Sequence, residues 1–219
     1  SRAAGSNRNR TRLTDEERKR LTTWCADHPD RVAAAVALIY NGLSSSEISV
    51  LNLSDLETLS CGIHSLWIAK RLLRNGAKYT AQPVAVSQIR RLPLFAATEK
   101  ALCAYAETLC DPADERPLVG MGPNGDRRYT PDLIRKDLAA VLGELGIYPD
   151  AVCAEHTSIR PEQAESLLIH DAEFCLSDRA RMPVEYRAML CARPQPTTNG
   201  RHYIDPDCDD TQIAVYRMA

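Results

Sequence analysis

Cysteine is the residue type that first suggests chemistry in this chain, because thiolates bind metal ions and form disulfides. The eight cysteines lie far apart, and no two have the Cys-x-x-Cys spacing typical of zinc sites: Cys25, Cys61, Cys103, Cys110, Cys153, Cys175, Cys191 and Cys208. Disulfide frameworks are typical of short secreted chains, whereas this one has 219 residues. The pattern predicts reduced thiols in a cytoplasmic protein, with no metal site and no cofactor.

The charges of the chain nearly balance. There are 27 Lys and Arg residues against 29 Asp and Glu residues, a formal net charge of −2. DNA-binding domains are often basic overall, so this balance argues against strong nonspecific DNA binding, although a local basic patch can still bind phosphates. Residues 1–12 contain four arginines and no apolar side chain larger than alanine. They are predicted to be a flexible basic arm or linker before one domain, residues 13–219.

The composition is that of a soluble globular domain, with 44% hydrophobic and 26% charged residues. No apolar run approaches the roughly 20 residues that a membrane-spanning helix needs. The sequence therefore predicts no membrane partner.

Helix signals dominate both ends of the chain. Thr14 and Glu17 have capping-box spacing, and so do Ser44 and Glu47. The apolar run 32–40 fits a buried helix that Gly42 would end. Further helices are predicted over residues 97–110, from 130 to about 145, twice within 161–191, and around 209–218.

Strand signals are confined to the middle of the chain. Residues 63–69 and 84–92 are predicted strands, and Asn75-Gly76 between them is typical of a hairpin turn. Residues 120–129, rich in glycine, are predicted to form a loop. The fold class that follows is mainly α-helical with one small antiparallel sheet, an α+β arrangement.

Three segments, in this order, carry a resemblance to a known family. The first is Gly42-Leu43-x-x-x-Glu47 with its flanks, residues 39–56. The second runs from Pro83-Val84-Ala85 to Arg90-Arg91-Leu92-Pro93-Leu94, and the third from Leu190-Cys191-Ala192 past Thr197-Thr198 to Tyr203. From about residue 13 to 218, the chain resembles the catalytic domain of the tyrosine recombinases, or phage integrases. The resemblance implies that fold, double-stranded DNA as partner, and a role related to DNA integration and site-specific recombination.

The resemblance also implies a chemistry. Family members attack a DNA phosphodiester with a tyrosine, while arginines, a lysine and histidines stabilise charge and move protons. By this match Tyr203 is the nucleophile and Arg160 is one phosphate-binding arginine. His156 is the nearest match to the family's histidine, although one residue too many separates it from Arg160. The family's first arginine falls at Ser44, its lysine at Val84 and its later histidine at Ala192. None of these three can carry positive charge, so the site is expected to be degenerate.

Basic residues around the predicted hairpin are implied to contact DNA: Lys70, Arg71, Arg74, Lys78, Arg90 and Arg91. Each has a plainer alternative as a solvated charge on a strand. Arg160 could instead pair with Glu162 or Glu165, Tyr203 could be a packed tyrosine, and His156 and His202 could be exposed polar residues.

Three hypotheses remain open from the sequence. The chain is a degenerate, DNA-binding relative that acts as a regulator, an architectural partner or an accessory subunit. Alternatively, it is an active recombinase with a rearranged site around Tyr203. Finally, it is a protein-interaction module without a DNA role. In the family the C-terminal helix docks on a neighbouring subunit, so residues 209–218 are implied to contact a second copy or a recombinase partner.

Overall fold

The computed structural model describes residues 10–192 and 208–219. Its α-helices are α1 Asp15–Asp27, α2 Arg31–Tyr40, α3 Ser45–Ile48, α4 Ala96–Glu107, α5 Pro131–Glu144, α6 Ala151–His156, α7 Pro161–Phe174, α8 Val184–Leu190 and α9 Asp209–Met218. Its strands are β1 Leu56–Thr58, β2 His64–Ile68, β3 Lys70–Asn75, β4 Lys78–Pro83, β5 Arg90–Pro93, β6 Gly120–Met121 and β7 Arg127–Arg128. The predicted fold class, mainly helical with small antiparallel sheets, is confirmed.

The helix starts follow the capping signals of the sequence. Thr14 Oγ1 accepts a hydrogen bond from Glu17 N (3.2 Å), and the Glu17 carboxylate accepts one from Thr14 N (2.8 Å). Helix α2 ends before Gly42, whose φ of 99° favours glycine. A Cβ atom there would lie 2.8 Å from the backbone oxygen of Leu190, so the turn also needs glycine for space.

Helix α2 is the centre of the hydrophobic core. Ala34, Ala35 and Leu38 have no solvent exposure, and the helix packs against α4, α5 and α7. Small alanine side chains let these neighbours approach closely. Because α2 leads directly into the turn before α3, this packing fixes where Ser44 lies.

The sheets differ in detail from the prediction. Strands β1, β2 and β5 form one antiparallel sheet in the order β1-β2-β5, while β3–β4 and β6–β7 form separate two-stranded ribbons. The hairpin turn at Asn75-Gly76 is confirmed, but it joins β3 and β4, which the sequence pattern had not assigned as strands.

The predicted strand 84–92 is largely wrong. Only its end is extended, as β5, and Val86–Gln88 forms a turn of 3-10 helix closed by a hydrogen bond from Gln88 N to Ala85 O (2.7 Å). In a strand, the side chains of Val84 and Val86 would lie on the same face. Instead Val84 is buried, whereas Val86 is 85% exposed, so the two do not share a face.

Part of the predicted basic arm packs on the domain. Arg10 N donates to Pro149 O (2.8 Å), and the Arg10 guanidinium pairs with Glu17 (2.6 Å). The Arg12 guanidinium stacks over the ring of Phe174, 4.8 Å from its centroid. Residues 1–9 of the predicted arm lie outside the described residues.

Four further elements were not predicted from sequence: α6, the short strand β1, and the strands β6 and β7, which pair within the segment 120–129 that was predicted to be a loop. The final helix, predicted around 209–218, is confirmed as α9. Within the described ranges, no helix is long and apolar enough to cross a membrane.

Candidate functional site

One cavity brings together three of the positions that the sequence analysis singled out. It has a volume of about 240 Å³ and is called the central pocket here. Its lining comes from the α2–α3 turn, β3, the segment before β5, the end of α7 and the residues after α8: Ile39, Gly42, Leu43, Ser44, Ser46, Glu47, Arg71, Val84, Gln88, Ile169, Ala172, Glu173, Cys191 and Ala192. Ser44, Val84 and Ala192 therefore converge.

Ser44 forms the wall of the pocket at the start of α3. Its backbone N–H and its hydroxyl both donate to Glu47 Oε2, each at 2.9 Å. The other oxygen of Glu47 accepts from Arg90 Nη1 at 2.7 Å. Burial alone would raise the pKa of Glu47, but the charge and hydrogen bond of Arg90 and the bonds from Ser44 outweigh it and lower the pKa.

Arg90 is buried, which corrects the expectation that it lies at an exposed sheet edge. It is 2% exposed and forms an ion pair with Glu47 in the interior. Its Nε also donates to Leu190 O (3.1 Å), and Nη2 donates to Gly42 O (3.4 Å). A guanidinium has five donors in a rigid fork, so Arg90 can link β5, the end of α8 and the α2–α3 turn. Its role is to hold the pocket walls together.

Val84 and Ala192 supply no charge to the pocket. Val84 is 6% exposed, and its N–H donates to Ala69 O (3.1 Å) beside the hairpin. Ala192 follows α8 with a φ of 52°, a left-handed conformation that is uncommon for alanine. An apolar methyl and an isopropyl group thus line the pocket at these two positions.

Arg160 and His156 do not line the central pocket. Arg160 precedes α7, is exposed, and donates from Nε to Gln163 Oε1 (2.9 Å). His156 ends α6 and is exposed. The pocket meets α7 at its opposite end, through Ile169, Ala172 and Glu173. The alternative partner Glu165 instead accepts hydrogen bonds from Arg135 and from Ser45 N (2.7 Å).

Tyr203 and His202 lie outside the described residues, so the expectation that Tyr203 is a nucleophile stays a prediction.

The remaining predicted DNA contacts have different surroundings. Lys70 and Lys78 are exposed at the base and the turn end of the hairpin. Arg74 pairs with Asp132 (3.2 Å), whereas Arg71 reaches the central pocket.

Arg91 is held by acidic side chains on two sides. It pairs with Glu57 of β1 (3.2 Å) and with Asp209 of α9 (3.4 Å). Its side chain is 22% exposed. A guanidinium that two carboxylates already contact is a weaker phosphate ligand than its sequence position suggested.

Sequence reasoning missed a buried charge that positions the site's helices. Asp171 of α7 has no exposure and accepts hydrogen bonds from Leu13 N (2.8 Å), Arg18 Nη2 (2.7 Å) and Tyr40 OH (2.6 Å). The signal was present, because a carboxylate stands beside apolar helix neighbours at Leu167, Leu168 and Ala172. Asp171 joins α1, α2 and α7 immediately behind the central pocket.

No family model matches the sequence, and no curated protein matches it either. Solved structures do. The Tn1549 transposon integrase in complex with a circular intermediate DNA matches with a TM-score of 0.60 at 17% identity, over 99% of this chain and 68% of that one. The same integrase in complex with transposon right end DNA matches with a TM-score of 0.58 at 17% identity, over 97% and 67%.

XerA recombinase also matches, with a TM-score of 0.55 at 15% identity, over 99% of this chain and 66% of that one. The likenesses to the integrase with circular intermediate DNA and to XerA recombinase both span 99% of this chain. At such identities the likeness concerns the fold. The chain has the fold of the tyrosine recombinase catalytic domain, mainly α-helical with small antiparallel sheets.

Proposed function

We propose that this chain binds double-stranded DNA through the face that holds the central pocket, and that it does not cleave the strand in the ordinary way. It would act in DNA integration or recombination as a regulator, an architectural partner or an accessory subunit of an active recombinase. One observation carries the proposal: Ser44, Val84 and Ala192 line the same pocket, and none of them can carry a positive charge.

The energy that the absent charged groups would contribute is large enough to favour loss of cleavage. A preorganised group that stabilises developing charge is worth about 3 to 4 kcal/mol in enzymes where it has been removed. Three positions in the pocket lack such a group, and Arg160 is directed to Gln163 instead. Groups that act as a unit are not additive, yet their joint loss would still lower the rate by several powers of ten.

Binding is supported by the fold and by two exposed lysines. Several of the Tn1549 integrase structures of similar fold are complexes with DNA. In this chain Lys70 and Lys78 stand exposed on the β3–β4 hairpin, which borders the pocket through Arg71. A small set of lysines and arginines can bind a phosphate backbone even when the net charge is negative.

Duplex DNA binding should weaken steeply as salt rises, and it should weaken less steeply in a Lys70→Ala/Lys78→Ala variant. Each phosphate contact contributes about 0.9 to the slope of log affinity against log salt, so losing two contacts should reduce the slope by about 1.8. The measurement is fluorescence anisotropy with a labelled duplex, at salt concentrations from about 25 to about 300 mM.

The matched control is Lys19→Ala/Lys100→Ala, which removes two exposed lysines from α1 and α4. It has the same net charge as the hairpin variant and should keep the wild-type slope. Equal salt slopes in both double variants would mean that Lys70 and Lys78 do not contact the DNA phosphates. An absence of binding at the lowest salt would overturn the DNA proposal and favour a protein-interaction module.

The chain should form no covalent adduct with a nicked suicide duplex, on which a cleaving tyrosine would be trapped. The reason is that no arginine stands at Ser44 and no lysine at Val84 in the central pocket, so neither position can stabilise charge on a phosphate. Denaturing electrophoresis after prolonged incubation is the measurement, with Tyr203→Phe as control. An adduct that forms in the wild type and disappears in Tyr203→Phe would establish the rearranged active recombinase instead.

The proposal also assigns α9 as the element that contacts a second subunit. In the structure α9 lies on β5 of its own chain, where Gln212 and Val215 are fully buried and Gln212 Nε2 donates to Arg91 O (2.9 Å). The same surface on β5 of another copy, or the corresponding surface of a recombinase, would accept this helix. The stoichiometry of the protein–DNA complex reports on that arrangement.

A further inference from the structure

Arg71 enters the central pocket from a position that the resemblance does not use. It lies on β3, which pairs with β4, the strand before the segment that holds Val84, and β3 packs against α3. Among the described residues that line the pocket, Arg71 carries the one positive charge. Among the described lining residues, the positive charge thus comes from the hairpin and not from Ser44, Val84 or Ala192.

The guanidinium of Arg71 is not engaged in the way its neighbours are. Arg74, three residues along the same strand, is bound by Asp132 at 3.2 Å. Arg71 Nε, by contrast, is buried and has no hydrogen-bond partner within the described residues. A buried donor without an acceptor is destabilising, and native proteins usually satisfy such groups with a side chain, water or a ligand. An acceptor in the pocket would satisfy it.

The carboxylates of the pocket decide which sign of ligand it accepts. Glu47 is neutralised by Arg90, with 2.7 Å between Oε1 and Nη1. Glu173 lies at the end of α7, is 30% exposed, and has His170 Nδ1 at 3.8 Å. With Glu47 neutralised, Arg71 attracts an anion into the pocket.

We propose that the central pocket is a residual phosphate site in which Arg71, with the carboxamide of Gln88, holds one backbone phosphate of bound DNA. The inference rests on the proposed DNA binding. A guanidinium fork matches two phosphate oxygens and stays charged at any physiological pH. The volume of about 240 Å³ exceeds several times the roughly 30 Å³ share of a water molecule in the liquid, so a phosphate group has room.

Two substitutions at Arg71 test the site. Arg71→Gln should reduce the salt slope of DNA binding by about 0.9, the contribution of one phosphate. Arg71→Lys keeps the charge but loses the planar fork, so it should keep the slope and weaken binding at 100 mM salt severalfold. The matched control is Arg20→Gln, which removes the same charge from an exposed position on α1, outside the hairpin and outside the pocket lining. It should keep the wild-type slope.

A second readout uses inorganic phosphate without DNA. The Nε–H resonance of Arg71, assigned by its loss in Arg71→Gln, should shift saturably with phosphate and not with chloride at equal ionic strength. DNA binding with an unchanged slope in Arg71→Gln overturns the phosphate site and leaves the proposed function standing. If the wild type fails to bind DNA, the proposed function falls, and the phosphate titration alone then decides whether the pocket binds anions: no shift means that it does not.

Discussion

Arg90→Met should lower the free energy of unfolding by roughly 3 to 5 kcal/mol, the range for removing one partner of a buried ion pair. The substitution would leave Glu47 buried without its 2.7 Å partner and would free the backbone oxygens of Leu190 and Gly42. Domains are typically stable by about 5 to 15 kcal/mol, so this loss is a large share. Urea denaturation followed by circular dichroism measures it.

The neighbouring arginine provides the control. Arg91→Met removes a guanidinium that is more exposed and pairs with Glu57 and Asp209, whose side chains are 50% and 43% exposed. Such surface pairs contribute about 0 to 1 kcal/mol. Similar losses in both variants, or a loss below about 1 kcal/mol for Arg90→Met, would contradict the role of Arg90 as the link between the pocket walls.

The ion pair of Arg90 and Glu47 also makes the stability of the protein depend on pH, in a direction that can be stated. The pKa of Glu47 is lowered in the folded protein from its ordinary value of 4.5: burial alone would raise it, but the Arg90 charge and the hydrogen bonds outweigh burial. A group with a depressed folded pKa contributes stability above its unfolded pKa and loses it as the pH falls through the folded value. Without Arg90, burial would raise the pKa of Glu47. The difference in the free energy of unfolding between the wild type and Arg90→Met should therefore become smaller as the pH falls below 4.5.

Asp171→Ala is the second substitution with a large expected effect, again roughly 3 to 5 kcal/mol, because it removes the buried carboxylate that pairs with the largely buried Arg18. Asp171 is fully buried and accepts hydrogen bonds from Arg18, Tyr40 and Leu13 N. Chemical denaturation gives the loss. Trypsin cleavage after Arg12 should also be faster, because Leu13 N would have lost its 2.8 Å acceptor.

Asp15→Ala is the matched control, because Asp15 also pairs with Arg18 (2.9 Å) but is 85% exposed. It should cost less than about 1 kcal/mol. Equal stability losses in the two variants would mean that burial of the carboxylate is not what matters. A trypsin cleavage rate unchanged in Asp171→Ala would remove Asp171 as the anchor of the N-terminal residues.

Local signals predicted much of the helical fold. Capping boxes at Thr14 and Ser44 and the glycine after α2 mark their elements because they act through near neighbours in sequence. The sheet was harder to predict. Strands β3 and β4 are mostly exposed and rich in basic and polar residues, so they lack the alternation that marks a half-buried strand.

The site was predicted in part, and the missing part depends on distant contacts. That Ser44, Val84 and Ala192 share one pocket agrees with the order of motifs in the sequence. The burial of Arg90 against Glu47, 43 positions earlier, could not be deduced from the local pattern. The entry of Arg71 into the pocket depends on how the hairpin packs on α3, which no local rule specifies.

Helix α9 has a consequence for solubility. Strand β5 is an outer strand of its sheet, and outer strands with unpaired backbone groups recruit strands from other molecules. Gln212 donates to the carbonyl of Arg91 on that strand, and Asp209 places a negative charge beside it. Helix α9 therefore shields β5 from intermolecular strand addition. A chain that lost this helix, by proteolysis or by exchange without a replacement, would expose a template for aggregation.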